Sequence, residues 1–266
     1  MSSDESFSAA LLGVVQGLTE FLPVSSSGHL VIFQNFFPVS GDNIAFDLVL
    51  HLGTLLPVLW VYRADILDII KDFFPNEVPL KEREGIRLAA WIILGSIPTA
   101  AIGLLFEDVF EHFFSTPLTV SIAFAVTGAV LFSIRYIAPG ERSVSQMLWW
   151  HALVIGLVQG FAITPGISRS GSTIAAALLL GMNRPLAAKY SFLLSIPAIT
   201  GGFILKLDEI KEGVSLAPVM IGFVCAVVSG YLALRWLLKL VNQGNFSQFC
   251  WYLWFVSVCG IGYSFM

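Results

Sequence analysis

Charge is what this sequence has least of. Asp, Glu, Lys and Arg make up 12% of its 266 residues, about half the share usual in a soluble domain. The net charge is −4 and there is no basic run. Nucleic acid is thereby excluded as a partner, because phosphate backbones are held by clustered Lys and Arg. Cysteine is also scarce: Cys225, Cys250 and Cys259 occur without C-x-x-C spacing. That excludes a thiolate metal centre, and all three read as small buried hydrophobes. The first residues, MSSDESFS, lack the basic stretch of a cleavable signal peptide, so the first apolar segments are expected to direct insertion.

What is present is apolar. Hydrophobic residues make up 56% of the chain and mean hydropathy is +0.83. The few charges fall in short stretches between runs long enough to cross a bilayer core of about 30 Å. Six crossings are expected, at 45–62, 86–106, 117–138, 186–206, 216–240 and 247–265. Two further apolar stretches, 8–37 and 150–182, are interrupted. Pro23 and Ser25-Ser26-Ser27-Gly28 break the first; Pro165-Gly166 and Ser168-Arg169-Ser170-Gly171 break the second. Proline removes a helix donor, and serine with glycine favours caps and turns, so each stretch reads as two half-helices around a loop. Half-helices of about 14 residues cannot cross alone at 1.5 Å per residue, which makes both stretches re-entrant hairpins. Irregular backbone survives at membrane depth only where it is buried in protein or lines a wet cavity. Both loops are therefore expected inside the bundle.

The broken stretches are related. A shift of 143 positions aligns GVVQGLTEFLPVSSSGH (13–29) with GLVQGFAITPGISRSGS (156–172) without a gap, and seven of the 17 positions are identical. An internal duplication follows, with repeat 1 at about 8–138 and repeat 2 at about 146–265 of one membrane domain. A hairpin plus three crossings puts the second repeat upside down relative to the first, a design in which broken helices meet near the midplane. Lys and Arg then sort eleven to two between the faces, with Arg169 in the second loop. By the positive-inside rule both termini face away from the cytoplasm. The fold class expected is an all-α polytopic membrane protein: six transmembrane helices and two re-entrant helix-loop-helix hairpins in an inverted repeat.

The repeats differ where chemistry is expected: Glu20 faces Ile163, Ser26 faces Arg169 and His29 faces Ser172. Neither half is complete alone. Gln16 and Glu20 are four apart and share a helix face, offering oxygen ligands to a hard cation, Mg²⁺ or Ca²⁺. Half-helix N-termini and the guanidinium fork of Arg169 suit phosphate. His29 serves as general base or nucleophile, and Ser26 is a second nucleophile candidate. Ser25, Ser27, Ser168, Ser170 and Thr173 surround the breaks as substrate-binding candidates. Ionisable groups inside a membrane are functional by default, although a purely structural Glu20–Arg169 pair is the bland alternative. His51 has no second ligand nearby in sequence and reads as structural. His112 and His151 read as loop or interface residues, and Trp149, Trp150, Trp236 and Trp251 as an aromatic belt.

The motifs VVQGLTEFLPVSSSGHL (14–30) and PGISRSGST (165–173), with FDLVLHLGT (46–54) and FLLSIPA (192–198), resemble those of the undecaprenyl-diphosphate phosphatase family, the bacitracin-resistance proteins. The resemblance spans essentially the whole chain. It implies a hydrolase of the bacterial inner (plasma) membrane that removes the terminal phosphate of undecaprenyl diphosphate, regenerating the lipid carrier for peptidoglycan synthesis. It implies divalent-metal dependence and a site open to the periplasmic or outer face. Glu20 carries over as metal-linked and catalytic, Arg169 as the diphosphate holder, and Ser26 and His29 as nucleophile and base in an unsettled order. Many members have Glu where this chain has Gln16. The expected partners are a polyprenyl diphosphate and membrane lipids, with a homodimer as a candidate assembly. The rival reading is a transporter or flippase of polyprenyl phosphate built on the same inverted repeat.

Overall fold

The structure is a computed structural model that describes residues 3–34, 36–37, 39, 43–74, 79, 82–114, 116–138, 140–207 and 216–265. Lys81 and Lys211 of the charge count above lie outside the described residues. Among the described residues twelve α-helices run in the order α1 Ser3–Phe21, α2 Ser26–Gln34, α3 Asn43–Val61, α4 Arg63–Asp72, α5 Glu84–Leu105, α6 Glu107–Phe114, α7 Pro117–Ser133, α8 Trp149–Phe161, α9 Arg169–Leu179, α10 Arg184–Leu205, α11 Leu216–Gln243 and α12 Phe249–Ser264. No strand forms among the described residues.

Four helices are long and apolar enough to cross a membrane: α5, α7 with the turn that extends it to Tyr136, α10 and α11. Helices α3 and α4, bent by 71°, make a fifth if counted together. The protein is therefore an all-helical, polytopic membrane protein. Its outward surface is correspondingly apolar, with Ile93, Ile97 and Leu104 on α5, Val224, Val228 and Leu232 on α11, and Phe255 and Val258 on α12 all exposed. Such a surface is stable only against lipid. The expected boundaries agree with α3, α5, α7, α10, α11 and α12 to within a few residues, although α12 has only 16.

Three expectations need correction. Helix α1 has 19 residues rather than about 14, because its first turns extend into the polar N-terminal stretch. The cysteines are free but differ in burial: Cys250 is buried, Cys225 intermediate and Cys259 exposed. His151 is not in a loop; it lies in the first turn of α8, fully buried, and its Nδ1 accepts from the Leu148 N–H at 2.9 Å, capping the helix. Two short helices were also unanticipated. Helix α4 buries none of its residues, and α6 begins with Glu107 and Asp108, which suit a helix N-terminus.

Both broken segments bring their ends together. The Arg142 N–H donates to the Gly181 carbonyl at 3.0 Å and the Asn183 N–H to the Arg142 carbonyl at 3.1 Å, so the chain entering α8 meets the chain leaving α9. In the first segment the Phe7 and Phe37 rings lie 6.5 Å apart, joining the start of α1 to the chain beyond α2.

The long helices exchange between the halves. Helix α1 packs on α11 and α8 on α5. A Cβ at Gly13 would strike the Gly222 carbonyl, and one at Gly156 the Gly95 carbonyl. Gly13 and Gly156 hold corresponding positions in the aligned stretches 13–29 and 156–172, and their two close approaches match. Small residues let membrane helices approach this closely.

Candidate active site

The two breaks form for local reasons. After Phe21 the chain turns through Leu22–Val24, and Ser25 takes a positive φ of 67°. That conformation costs a non-glycine residue about 1–3 kcal/mol and is characteristic of functional sites. Helix α2 then starts, with Ser25 Oγ accepting from the Gly28 N–H at 3.4 Å. The second break repeats the device: Ser168 Oγ accepts from the Gly171 N–H at 3.0 Å, capping α9. Such caps each contribute about 1 kcal/mol. The serine pairs match too, with Ser25 and Ser27 hydroxyls 3.3 Å apart and Ser168 and Ser170 hydroxyls 3.3 Å apart.

The loops touch each other directly. The Gly166 N–H donates to Ser25 Oγ at 3.1 Å, and Ser170 Oγ donates to the Leu22 carbonyl at 3.4 Å. Gly166, at φ +92°, leaves no room for a side chain against the Val120 carbonyl and Ala123. Thr127 on α7 holds the second loop, donating to the Gly166 carbonyl at 3.0 Å and accepting from the Ser168 N–H at 3.1 Å.

Glu20 is the centre of the polar cluster. One carboxylate oxygen accepts from the Arg169 guanidinium. The other accepts from Ser26 Oγ at 2.5 Å and from Gln16 Nε2 at 3.1 Å. His51 on α3 also reaches it, with Nε2 3.6 Å from Glu20 and Nδ1 donating to the Asp47 carbonyl at 2.7 Å. Thus three of the four expected catalytic side chains, Glu20, Ser26 and Arg169, form one hydrogen-bonded chain. His29 is not part of it. Its Nδ1–H donates to the Ser25 carbonyl at 2.8 Å and its Nε2 accepts from the Tyr252 hydroxyl at 2.7 Å. It nevertheless follows Ser26 by three residues on α2, which places both on one face.

Two polar atoms at this cluster are buried without a partner: Gln16 Oε1 and Arg169 Nη1. One is an acceptor and one a donor, so among the described residues each keeps hydrogen-bonding capacity to spare. Thr173, by contrast, is fully committed, donating to the Arg169 carbonyl at 2.7 Å and lying 2.6 Å from the Ser191 hydroxyl. Ser25 and Ser168 serve as caps, and Ser27 is the more accessible serine of the first loop. His51, Tyr252 and Thr127 were not singled out as site residues from sequence. Only for His51 was there a signal, as an imidazole on an otherwise apolar crossing.

A lipid-embedded helical bundle with a hydroxyl, a carboxylate and a guanidinium linked between two interrupted helices defines a class: polytopic membrane proteins with a buried polar cluster between their interrupted helices. Within that class the match is specific. The family model described as bacitracin resistance protein BacA covers residues 9–259, and this chain belongs to that family. Among curated relatives, the undecaprenyl-diphosphatase of Carboxydothermus hydrogenoformans is 43% identical over 259 residues, 95% of each chain. That of Desulfosudis oleivorans is 45% identical over 260 residues, 93% of this chain and 94% of its own. The undecaprenyl-diphosphatase of Methanobrevibacter smithii is 41% identical over 262 residues, 94% of each.

Proposed function

We propose that this protein is a membrane phosphatase that hydrolyses undecaprenyl diphosphate to undecaprenyl phosphate and orthophosphate. The observation that carries the reading is the hydrogen bond from Ser26 Oγ to Glu20 at 2.5 Å, with Glu20 held in turn by Arg169. A hydroxyl on a carboxylate is a nucleophile on its base. The family membership and the undecaprenyl-diphosphatase names of the relatives supply the substrate.

On this reading the diphosphate displaces Glu20 from part of the Arg169 fork and engages the unpartnered Nη1. The first N–H groups of α2 and α9, which no helix bond can satisfy, add donors at the positive helix ends. Ser26 Oγ attacks the terminal phosphorus while its proton passes to Glu20. The anhydride P–O bond breaks and its electrons leave on the polyprenyl monophosphate. Water then cleaves the phosphoserine, releasing orthophosphate. His29 is assigned to activating that water, once the Tyr252 hydroxyl gives up its bond to Nε2. The isoprenoid tail stays in lipid, so its large apolar area is never exposed to water.

A divalent ion fits the acceptors. No three His, Cys, Asp or Glu side chains gather among the described residues, but Gln16 Oε1 is buried and unpartnered beside Glu20. Mg²⁺ is commonly held by one or two carboxylates with substrate phosphates completing the shell. Glu20 and Gln16 are the residues that would hold Mg²⁺ or Ca²⁺. When bound, the ion neutralises charge on the diphosphate.

The finer topology belongs to the same proposal: six crossings (α3, α5, α7, α10, α11 and α12) and re-entrant hairpins α1–α2 and α8–α9, as inverted repeats at 8–138 and 146–265 of one domain. The joined hairpin ends and the matching α1/α11 and α8/α5 crossings support it. So do the loop contacts, which pair only segments assigned to one face: Lys189 with Asp65, and Arg87 with the Ser145 carbonyl at 2.6 Å. Lys206 with Glu107, 3.2 Å apart, join segments assigned to the other. The charge bias turns the termini and the first hairpin toward the outer face of the plasma membrane.

A transporter of polyprenyl phosphate needs the guanidinium and helix ends but no hydroxyl–carboxylate pair. Protein in detergent, where transport has no meaning, is given polyprenyl diphosphate with Mg²⁺, and orthophosphate is measured. Multiple-turnover release is expected; none at all would leave transport as the better reading.

A further inference from the structure

The end of α9 remote from Arg169 borders a cavity of about 520 Å³. Leu178, in its lining, is nine residues along α9 from Arg169, or about 13 Å at 1.5 Å per residue. Three parts of the chain converge there: the end of α7, the start of α10 and the turn joining α11 to α12. They contribute Arg135, Arg184, Asn245, Ser247, Gln248 and Trp251. No Asp or Glu is among the lining residues, and neither arginine has a carboxylate partner among the described residues.

The cavity is also prepared for an anion. Arg184 Nη1 donates to the Asn242 carbonyl at 3.3 Å. Its guanidinium lies against Gly244, where φ is +80° and an added Cβ would come within 2.6 Å of Nη2. Trp251, 56% exposed, stands at the lipid-facing rim, the usual place for an indole at headgroup level. Arginines that only fix topology account for the sign of the charge. They do not account for a cavity of this size with amides and a hydroxyl around it.

We propose that this cavity binds the phosphate headgroup of an anionic lipid from the leaflet opposite the one facing the catalytic loops. Arg135 and Arg184 hold the phosphate oxygens, Asn245 and Gln248 donate to the headgroup, and Trp251 covers the start of the acyl or prenyl chain. The chemistry is shared by a phospholipid such as phosphatidylglycerol and by a polyprenyl monophosphate. Ser247 is the only hydroxyl in the lining and has no carboxylate or imidazole among the lining residues, so this second site binds without hydrolysing.

Native mass spectrometry of the detergent-solubilised protein tests the idea. The probes are phosphatidylglycerol, phosphatidylcholine, a short polyprenyl monophosphate and inorganic phosphate. Wild-type protein and the Arg169→Ala variant, which leaves the cavity intact, are expected to retain phosphatidylglycerol, polyprenyl monophosphate or both over phosphatidylcholine. The double variant Arg135→Gln/Arg184→Gln should lower that retention about tenfold or more, as two charge-assisted bonds require. It should keep its rate of orthophosphate release, which shows that it is folded. A photoreactive headgroup analogue should label residues 244–251. The proposal is overturned if the double variant, still active, retains the lipids as wild type does. It is equally overturned if only inorganic phosphate binds, or if labelling falls elsewhere. Loss of hydrolysis in the wild type would count against the proposed function; a melting temperature of the double variant equal to that of wild type then serves as the fold control and keeps this test standing.

Discussion

Glu20 and Arg169 lie 149 residues apart along the chain and share a hydrogen-bonded ion pair across the junction of the two loops. Each is placed where its own helix disfavours it. Glu20 occupies the last turn of α1, at the negative end of the helix dipole, and Arg169 the first residue of α9, at a positive end. Pairing offsets both penalties. On the proposed mechanism an anionic substrate between the helix starts would take over the guanidinium and leave Glu20 facing Ser26, which would make the resting pair a placeholder for substrate.

Arg169 should therefore be needed as a fork and not merely as a charge. Arg169→Ala is expected to lower kcat by about 10²–10³-fold, the loss typical of one oxyanion donor. Arg169→Lys should recover only a small part of it, because an ammonium cannot span two phosphate oxygens. Steady-state orthophosphate release checks both; a lysine variant within about twofold of wild type would show that the planar geometry is irrelevant.

The order of Ser26 and His29 can be read from the covalent intermediate. Ser26→Ala should abolish the reaction, whereas His29→Ala should slow the second step and let phosphoserine accumulate. Trapping wild type and the His29→Ala variant in neutral detergent, followed by mapping by mass spectrometry, should find phosphate on residue 26. Phosphate on His29, stable to base and lost in acid, would reverse the assignment.

Gln16 presents a neutral, unpartnered amide oxygen beside the Glu20 carboxylate. Gln16→Glu should lower the Mg²⁺ concentration for half-maximal activity about tenfold, since ligand charge tunes affinity for hard cations. It should also raise Tm only when Mg²⁺ is added, a readout independent of turnover. Without metal, the second carboxylate beside Glu20 should lower Tm through like-charge repulsion. An unchanged Mg²⁺ midpoint and an unchanged Tm response would remove Gln16 from the metal site.

The re-entrant topology sets a labelling pattern. Cysteines at Phe36 and Leu207 should react with a membrane-impermeant maleimide from one face, and those at Phe73 and Glu141 from the other. All four positions are exposed. Background from Cys259 is removed first by Cys259→Ala. Reaction of Phe36→Cys and Phe73→Cys from the same face would eliminate the inverted repeat.

Much of the site was legible because its signals are local. Proline, serine and glycine inside an apolar run announce a break wherever they occur, and seven of 17 aligned positions are identical between the two runs. Gln16 and Glu20 four residues apart must share a face, and the hydrogen bond between them follows. Arg169 declared itself through the cost of a charge at membrane depth. His51, Tyr252 and Thr127 gave little or no such signal. Their partners lie on helices remote in sequence, and a tyrosine or threonine in an apolar crossing is unremarkable until something polar faces it.

The sequence by itself determined that the chain lives in a membrane, where it must break, and which side chains are too costly there to be idle. Tertiary structure alone decided which of them meet: Ser26 rather than His29 on Glu20, His51 alongside, and His29 turned to Tyr252. It also decided which apolar residues face lipid, as Cys259 does, and which face protein, as Cys250 does. Hydropathy cannot make that distinction, because the bilayer and the bundle interior are equally poor in water; only the packing of one helix against another tells them apart.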